Sequence, residues 1–311
     1  MSYIYPSLEC VGYLLLNHIQ ITNANAISSP LTYGFPAITG FTGAVHALSR
    51  KVSQIDGLQD IRLDGVLIAC HDCQPQTYRE SSYKDFTFIQ TRNPLKKDGK
   101  TASIIEEGRC HLTVSLVVGV YADDDLSSKQ VEQLVSKAYQ LIQQQRIAGG
   151  SVHKLNHFEP VSFYKDADIN EIKTKLLPAF VLTDAHDSLQ DITEQLQANN
   201  PDATALDALL ETATLHHVPS DEQSSSWTVE TVKKGRGWLV PIPVGYQGIS
   251  PTFEAGEMQH SRNPEYPSQY VEAIYSLGKW VFPYSIEKLE TAFWYQKHDA
   301  EQDLYLVTQS I

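Results

Sequence analysis

Three apolar runs, and the amphipathic stretches between them, set what this chain can become. Cys10–Ile21 (CVGYLLLNHIQI), Leu63–Cys73 and Gly108–Tyr121 are dense in branched and aromatic side chains, as buried strands are. Between the first two lies GFTGAVHALSRKV, opening at Gly40. Its Phe41, Ala44, Val45, Leu48 and Val52 recur at spacings of three and four, which predicts a helix with one buried face. Thr39 is its expected N-cap, and Arg50 and Lys51 suit the negative end of the helix dipole. Ser127–Gln145 reads as a second helix, capped by Ser127 or Ser128, with Gly149-Gly150 just past its end. Asp85–Thr91 adds a strand before Gly108, and Phe180–Thr183 closes the set. The order strand, helix, strand, strand, helix, strand gives an α+β fold with a ferredoxin-like or RRM-like core. Many RNA-binding modules share that pattern, though fold alone does not fix function.

Beyond Thr183 the character changes. From Leu176 to Val232 there are ten acidic residues and no Lys or Arg, so this block carries most of the net charge of −13. Such a block repels phosphate and suits solvent or a basic partner protein. Ser188–Ala198 and Ala205–Thr214 read as helices within it, and Ser220–Ser226 as a polar linker. Trp227–Ser250 reads as two strands, with Pro241 and Pro243 restricting one to an edge or to irregular pairing. Ser268–Leu277 and Ile286–Gln296 read as helices, and Leu304–Thr308 as a last strand. The expected organisation is a core over 1–183 with a basic inserted segment near 84–108, an acidic helical region over 184–226, and an α+β region over 227–311 that packs on the core.

Several function classes recede at this point. No run of eighteen apolar residues exists, so no membrane span is expected, and the polar N-terminus gives no leader, which makes the cytoplasm the default. Cys10, Cys70, Cys73 and Cys110 read as buried thiols of a reducing compartment. Cys70-His-Asp-Cys73 has CxxC spacing without a second ligand pair, so no metal and no cofactor is expected. No nucleophile elbow, phosphate loop or zinc-protease motif is present.

Five segments carry recognition chemistry. The connection from Asn23 to Pro36 is long for a strand-to-helix link. Asn23, Asn25, Ser28 and Ser29 can present amides and hydroxyls to a base edge or ribose, or can equally satisfy their own loop. The stretch Lys84–Lys100 is a basic excursion holding Arg92, Asn93 and Lys96, suited to a nucleic-acid backbone or to plain solvation. Tyr83, Phe86 and Phe88 beside it can stack on bases or fill a core. Arg109 and His111 share one face of their strand, and His111 is alternatively an acid or base. Arg146, Gly149 and Gly150 allow close approach of a ligand or form a helix C-cap. Arg236 with Trp238 and Tyr246 offers a cation beside stacking rings.

Read together, ITNANAISSPLTYGFPAITGFTGAVHAL (Ile21–Leu48), TRNPLKKDGKTASIIEEGRCHLTVSLVVGV (Thr91–Val120), RIAGGS (Arg146–Ser151), LLPAFVL (Leu176–Leu182), WLVPIPVGYQGISP (Trp238–Pro251) and FWYQKH (Phe293–His298) closely resemble the second Csy subunits of type I-F CRISPR–Cas surveillance complexes. Those are Cas-five-type members of the RAMP superfamily, and the resemblance covers nearly the whole chain. It implies a ferredoxin-like core with insertions and a non-catalytic subunit at the five-prime handle of the CRISPR RNA. It implies pairing with the large Csy subunit, contact with the first backbone Csy subunit, and target DNA met indirectly through the complex. The alternative from another class is a metal-independent RNA endonuclease using His111 or His46 as base. A third is a protein scaffold docking through its acidic block.

Overall fold

Alternation of side chains explains the central sheet. Along the strand Glu9–Asn25, Leu14 and Leu16 point to one side and Tyr13 and Leu15 to the other, and all four are buried. Arg62–Pro75 repeats this with Val66 and Ile68 against Leu67 and Ala69, and Glu107–Ala122 with Leu116 and Val118 against Val117. Strands apolar on both faces need cover on both. Helices α1 (Thr39–Val52) and α2 (Ser128–Ile142) cover one face through Phe41, Val45, Leu48, Leu134 and Ala138. Helix α3 (Ile169–Lys175) and the segment around Leu289 and Phe293 cover the other. Each fully buried leucine or phenylalanine contributes roughly 1.5–3 kcal/mol. The computed structural model describes residues 8–91, 95–100, 107–220, 226–259, 261 and 263–309.

Among those residues the sheet has twelve strands, antiparallel wherever neighbours pair. The first strand runs beside Glu107–Ala122, which runs beside Arg62–Pro75. Beyond the first strand lie Gly150–Lys154 and Val161–Tyr164. Beyond Arg62–Pro75 come Phe180–Asp184, Val271–Val281, Trp238–Gly248, Leu304–Thr308 and Tyr295–Asp299 in turn. The α+β class is as expected. The strand Phe180–Asp184, expected to close the core, instead pairs with Arg62–Pro75 on its far side. The strand returning to the first one after α2 is the 150–164 region, which sequence periodicity did not single out.

Other expectations are corrected. Ser268–Leu277 is no helix: Val271–Val281 is a strand with a ladder partner on each side, Phe180–Asp184 and Trp238–Gly248. A short apolar run follows whichever partners are offered. Ile286–Gln296 holds a 3-10 turn, Leu289–Ala292, and then extends. There the Trp294 and Val66 backbones exchange hydrogen bonds of 2.9 and 3.1 Å, and the Trp294 indole donates to the Leu182 carbonyl at 2.9 Å. Asp85–Thr91 forms two short strands, Thr87–Phe88 and Gln90–Thr91. The first strand, expected to end at Ile21, runs on to Asn25, and a hairpin of Ile27–Ser29 with Thr32–Tyr33 follows within the expected connection. Ile38, not Thr39, holds the N-cap position of α1, with no side-chain cap. Ser127 does cap α2, in a reciprocal box with Gln130. Pro241 and Pro243 lie in a strand whose second neighbour meets it at Gly245–Gln247, past both prolines.

The acidic region forms α4 (His186–Gln197) and α5 (Ala205–Ala213), close to the expected bounds. Leu189, Ile192, Ala208 and Leu209 pack onto Leu239 and Leu277 of the sheet as a small core of their own. Its hairpin, His216–Pro219 with Trp227–Glu230, pairs outside the main sheet.

Candidate functional site

The site is built where the first strand ends. A bulge displaces the register between Ile21 and Ala24, with Asn23 in left-handed backbone at φ 56°. The sequence Arg146-Ile-Ala-Gly-Gly-Ser151, read as a possible helix end, is a β-hairpin: Arg146–Ile147 pairs with Gly150–Lys154. Ala148 and Gly149, at φ 49° and 78°, turn it. Gly150 must lack a side chain, since a Cβ there would lie 2.7 Å from the Ala24 backbone nitrogen and 2.6 Å from Ile21. The turn is tied to both neighbours: the Asn25 N–H donates to the Ala148 carbonyl at 2.8 Å, and the Ala148 N–H to the Gly40 carbonyl at 3.3 Å.

This arrangement encloses an open cleft of about 390 Å³. Asn25, Ser28, Arg146, Gly149 and Tyr246, all singled out in the sequence, line it together. Helix α1 supplies Thr39, Gly40, Gly43, Ala47 and the edge of the buried Ala44. In the sequence Thr39 and Ala44 read only as cap and core, and Gly40, Gly43 and Ala47 are not marked for recognition, although their spacing of three and four is visible in TGFTGAVHA. Arg146 is the one charged residue in the lining, no carboxylate lines the cleft, and the Arg146 guanidinium is exposed and makes no ion pair among the described residues.

Asn23, Arg109, His111 and Gly150 form the rim behind the cleft. The Arg109 guanidinium pairs with Glu107 and reaches the Asn23 carbonyl at 3.5 Å, so its charge is already partnered. Arg109 and His111 do share a face, as expected. The His111 Nδ1 lies 3.4 Å from the Asn23 N–H, and its Nε2 lies 3.5 Å from Gln76 Nε2. Gln76 also donates to the Asn23 side chain at 2.8 Å, a residue that sequence reading missed because nothing in its spacing marks it. Ser29 is buried and bonded to Thr32 and to the Leu31 N–H, and Asn25 bonds its own loop at Ile27. For those two side chains the self-satisfied reading holds.

The excursion after Gln76 leaves from the same end of the sheet. Tyr83, Phe86 and Phe88 are 97, 65 and 56% exposed, so they are not core. Arg79 sits 5.0 Å over the Phe86 ring, and Phe88 stacks on Tyr33 at 3.9 Å. Lys96 lies exposed in a turn closed by the Lys96 N–H to the Lys100 carbonyl. Arg92 and Asn93 lie outside the described residues. Arg236 and Trp238 are not at the cleft. Arg236 donates to Val232 and Gln195, while Trp238 packs edge-on against Phe180 and tilted against Trp280. Trp238 stands eight residues from Tyr246 along one strand, roughly 26 Å at a strand's rise per residue.

A second polar cluster lies within the sheet. Bulges at residues 17–18 and 71 bring His18 and His71 over Ser115, with rings stacked 3.8 Å apart. His71 Nε2 meets Ser115 Oγ at 2.8 Å, and His18 Nδ1 meets Asn17 Oδ1 at 2.7 Å. Burial pushes the His71 ring down to about 4, with His18 adding to the shift, and burial also lowers His18. Burial pushes the Cys70 thiol up to about 12, which keeps it a thiol. Among the described residues no three His, Cys, Asp or Glu side chains gather for a metal, and no helix is long and apolar enough to cross a membrane.

Comparison with known proteins decides the family. A family model described as CRISPR-associated protein (Cas_Csy2) matches residues 14–307. The chain belongs to the Csy2 family. A Csy2 relative, "CRISPR-associated protein Csy2" of Pseudomonas aeruginosa (strain UCBPP-PA14), is 37% identical, covering 94% of this chain and 93% of the relative. The match runs through every element that builds the cleft, and it agrees with the resemblance seen in the sequence blocks.

Proposed function

We propose that this Csy2 protein is a non-catalytic RNA-gripping subunit of a type I-F CRISPR–Cas complex in the cytoplasm. It holds the five-prime handle of the CRISPR RNA together with the large Csy subunit and abuts the first backbone Csy subunit. It meets target DNA through the complex and so serves guide-directed defence. One observation carries the reading. In a chain of net charge −13, the cleft beside Asn25 is lined, among the described residues, by an arginine that makes no ion pair, small residues and a tyrosine, with no carboxylate. That is a surface for a phosphate and an unpaired base, gained by local contacts rather than by overall charge. The aromatic and basic excursion over residues 77–100 extends the same end of the molecule. The strand order 150–164, first, 107–122, 62–75, with α1 and α2 on one face, supports a ferredoxin-like core.

The test is the RNA retained by the tagged full-length chain purified from its assembled complex. Arg146→Glu is expected to cut retained guide RNA about tenfold and to lower the salt slope of binding by about one, with the melting temperature unchanged. Equal retention in Arg146→Glu and wild type rejects the cleft as the RNA site. His111, one of the two histidines a nuclease could use as base, accepts a hydrogen bond from the Asn23 N–H. Purified protein is therefore expected to leave repeat RNA intact, and metal-independent cleavage lost in His111→Ala would replace this reading.

A further inference from the structure

On the outer side of the acidic region the chemistry is different. Helix α5 turns Ala208, Leu209 and Thr212 inward, and its opposite face carries Leu206 and Leu210, one turn apart and 50 and 55% exposed. The hairpin that follows is joined to α5 by His216 Nε2 and Glu211 Oε2 at 2.7 Å. Trp227 and Val229, 63 and 53% exposed, stand two residues apart and so share one hairpin face, and Leu215 at its entry is 54% exposed. A tryptophan and four aliphatic side chains exposed on a stretch of some 25 residues are more than scattered surface apolar groups. Around them run Asp202, Asp207, Glu211 and Glu230, and the chain supplies no Lys or Arg between Leu176 and Val232 to neutralise them.

We infer that α5 and the paired strands His216–Pro219 and Trp227–Glu230 form a docking surface for another protein subunit, one whose contact patch has an apolar centre rimmed by lysine and arginine. The inference rests on the reading that the chain works inside a complex. Charge complementarity selects the occupant. Carboxylates on a stretch that holds no Lys or Arg repel RNA phosphates, and a second copy would set the same carboxylates against each other. A basic-rimmed protein surface gains from both the apolar centre and the acidic edge, and a tryptophan at the centre is where such interfaces concentrate their energy. The division of labour is spatial: the cleft by Arg146 takes the nucleic acid, and the acidic module takes protein.

Amide hydrogen exchange on the full-length chain, free and within its affinity-purified complex, tests this. Protection over residues 205–219 and 226–230 is expected in the complex, persisting after ribonuclease treatment and weakening at roughly 0.5 M salt. Leu210→Ser with Trp227→Ser is expected to reduce co-purifying partner protein about tenfold, and since both side chains are exposed the fold should survive. Asp202→Lys with Glu230→Lys, both on the surface, tests the rim independently and should weaken the same partner. Protection that vanishes with ribonuclease would assign the face to RNA and overturn the inference. Protection in the isolated chain that grows with its concentration would assign it to self-association, with the same consequence. Unchanged partner yield in both double variants also overturns it. If RNA and partner co-purify while 205–230 stays unprotected, the docking inference alone fails; if neither co-purifies, the underlying reading fails.

Discussion

The cleft and the acidic module solve opposite problems with opposite means. The cleft is made of backbone held tightly: a bulge at Asn23, a glycine hairpin pinned to the first strand and to α1, and the Arg146 guanidinium, which makes no ion pair among the described residues. It sits on the largest core of the molecule, so its geometry is preset. The module is made of side chains on two short helices over a small core of their own, and it carries the charge that the cleft avoids. Rigidity and local charge suit the proposed recognition of a phosphate and a base, which need placed groups. A broad acidic and apolar face tolerates adjustment, as protein interfaces do. The comparison also makes the proposed RNA role compatible with an acidic chain, because the acid is segregated from the cleft.

The largest expected effect separates the two stabilities. Ile192, fully buried in the module, loses about 2–4 kcal/mol of packing as alanine. If the module is energetically its own unit, exchange rates rise over 186–213 while guide RNA retention stays unchanged. A loss of RNA in step with the module would show that the two regions fold as one and would break the comparison. Next comes Gly150→Val, which drives a branched side chain into the Ala24 backbone and should cost roughly 1–3 kcal/mol. Here the cleft is expected to fail while the module does not: RNA retention falls and exchange over 186–213 is unaltered. A smaller effect is expected for Thr204→Ala, which removes the hydroxyl half of the box with Asp207 at the start of α5 and leaves the Thr204 N–H on the Asp207 carboxylate, about 1 kcal/mol. Its readout is fraying of α5 with no change at the cleft.

How legible was this division in the sequence? The module's charge and helices were, because an unbroken acidic stretch and two short amphipathic segments are local properties. So were the three long strands and α1, whose periodicities are strong. Lost were features set by partners distant in sequence. Val271–Val281 passes for a helix until strands from residues 180 and 240 flank it. The Arg146–Ser151 glycines read as a cap because the strand that crowds Gly150 lies 126 residues earlier at Ala24. Of the residues marked for RNA, those near Asn25 converge because strand register brings them together, whereas Trp238 shares a strand with Tyr246 and is carried away by its length. Composition could nominate Trp238 and Arg109, but not show that packing and Glu107 already occupy them.

The smallest effect is a pH dependence that tells the two regions apart. His71 is held near 4 in the fold, against 6.5 for a free ring, by burial and by the adjacent His18. The unfolded chain therefore takes up this proton first as pH falls. Stability that is complete at neutral pH declines from about 6.5 to about 4 and then levels. The full shift would be worth about 3 kcal/mol, and solvent screening of a ring that is not fully buried reduces this to about 1 kcal/mol. Asp64, pushed up to about 6 by burial, acts in the opposite sense, since the folded chain takes up that proton first and gains stability as pH falls below about 6. The histidine contribution is isolated by comparing wild type with His71→Gln. The stability difference should shrink by about 1 kcal/mol between pH 7 and pH 4. In the module, hydrogen bonds from Thr204 hold the Asp207 carboxyl below its ordinary range, so the cap at α5 is kept until pH falls below the usual 3.8. Acid is thus expected to loosen the histidine bulges before the module, as read by exchange at 17–19 and 204–208. Equal pH profiles for wild type and His71→Gln would mean that the stacked pair makes no such contribution.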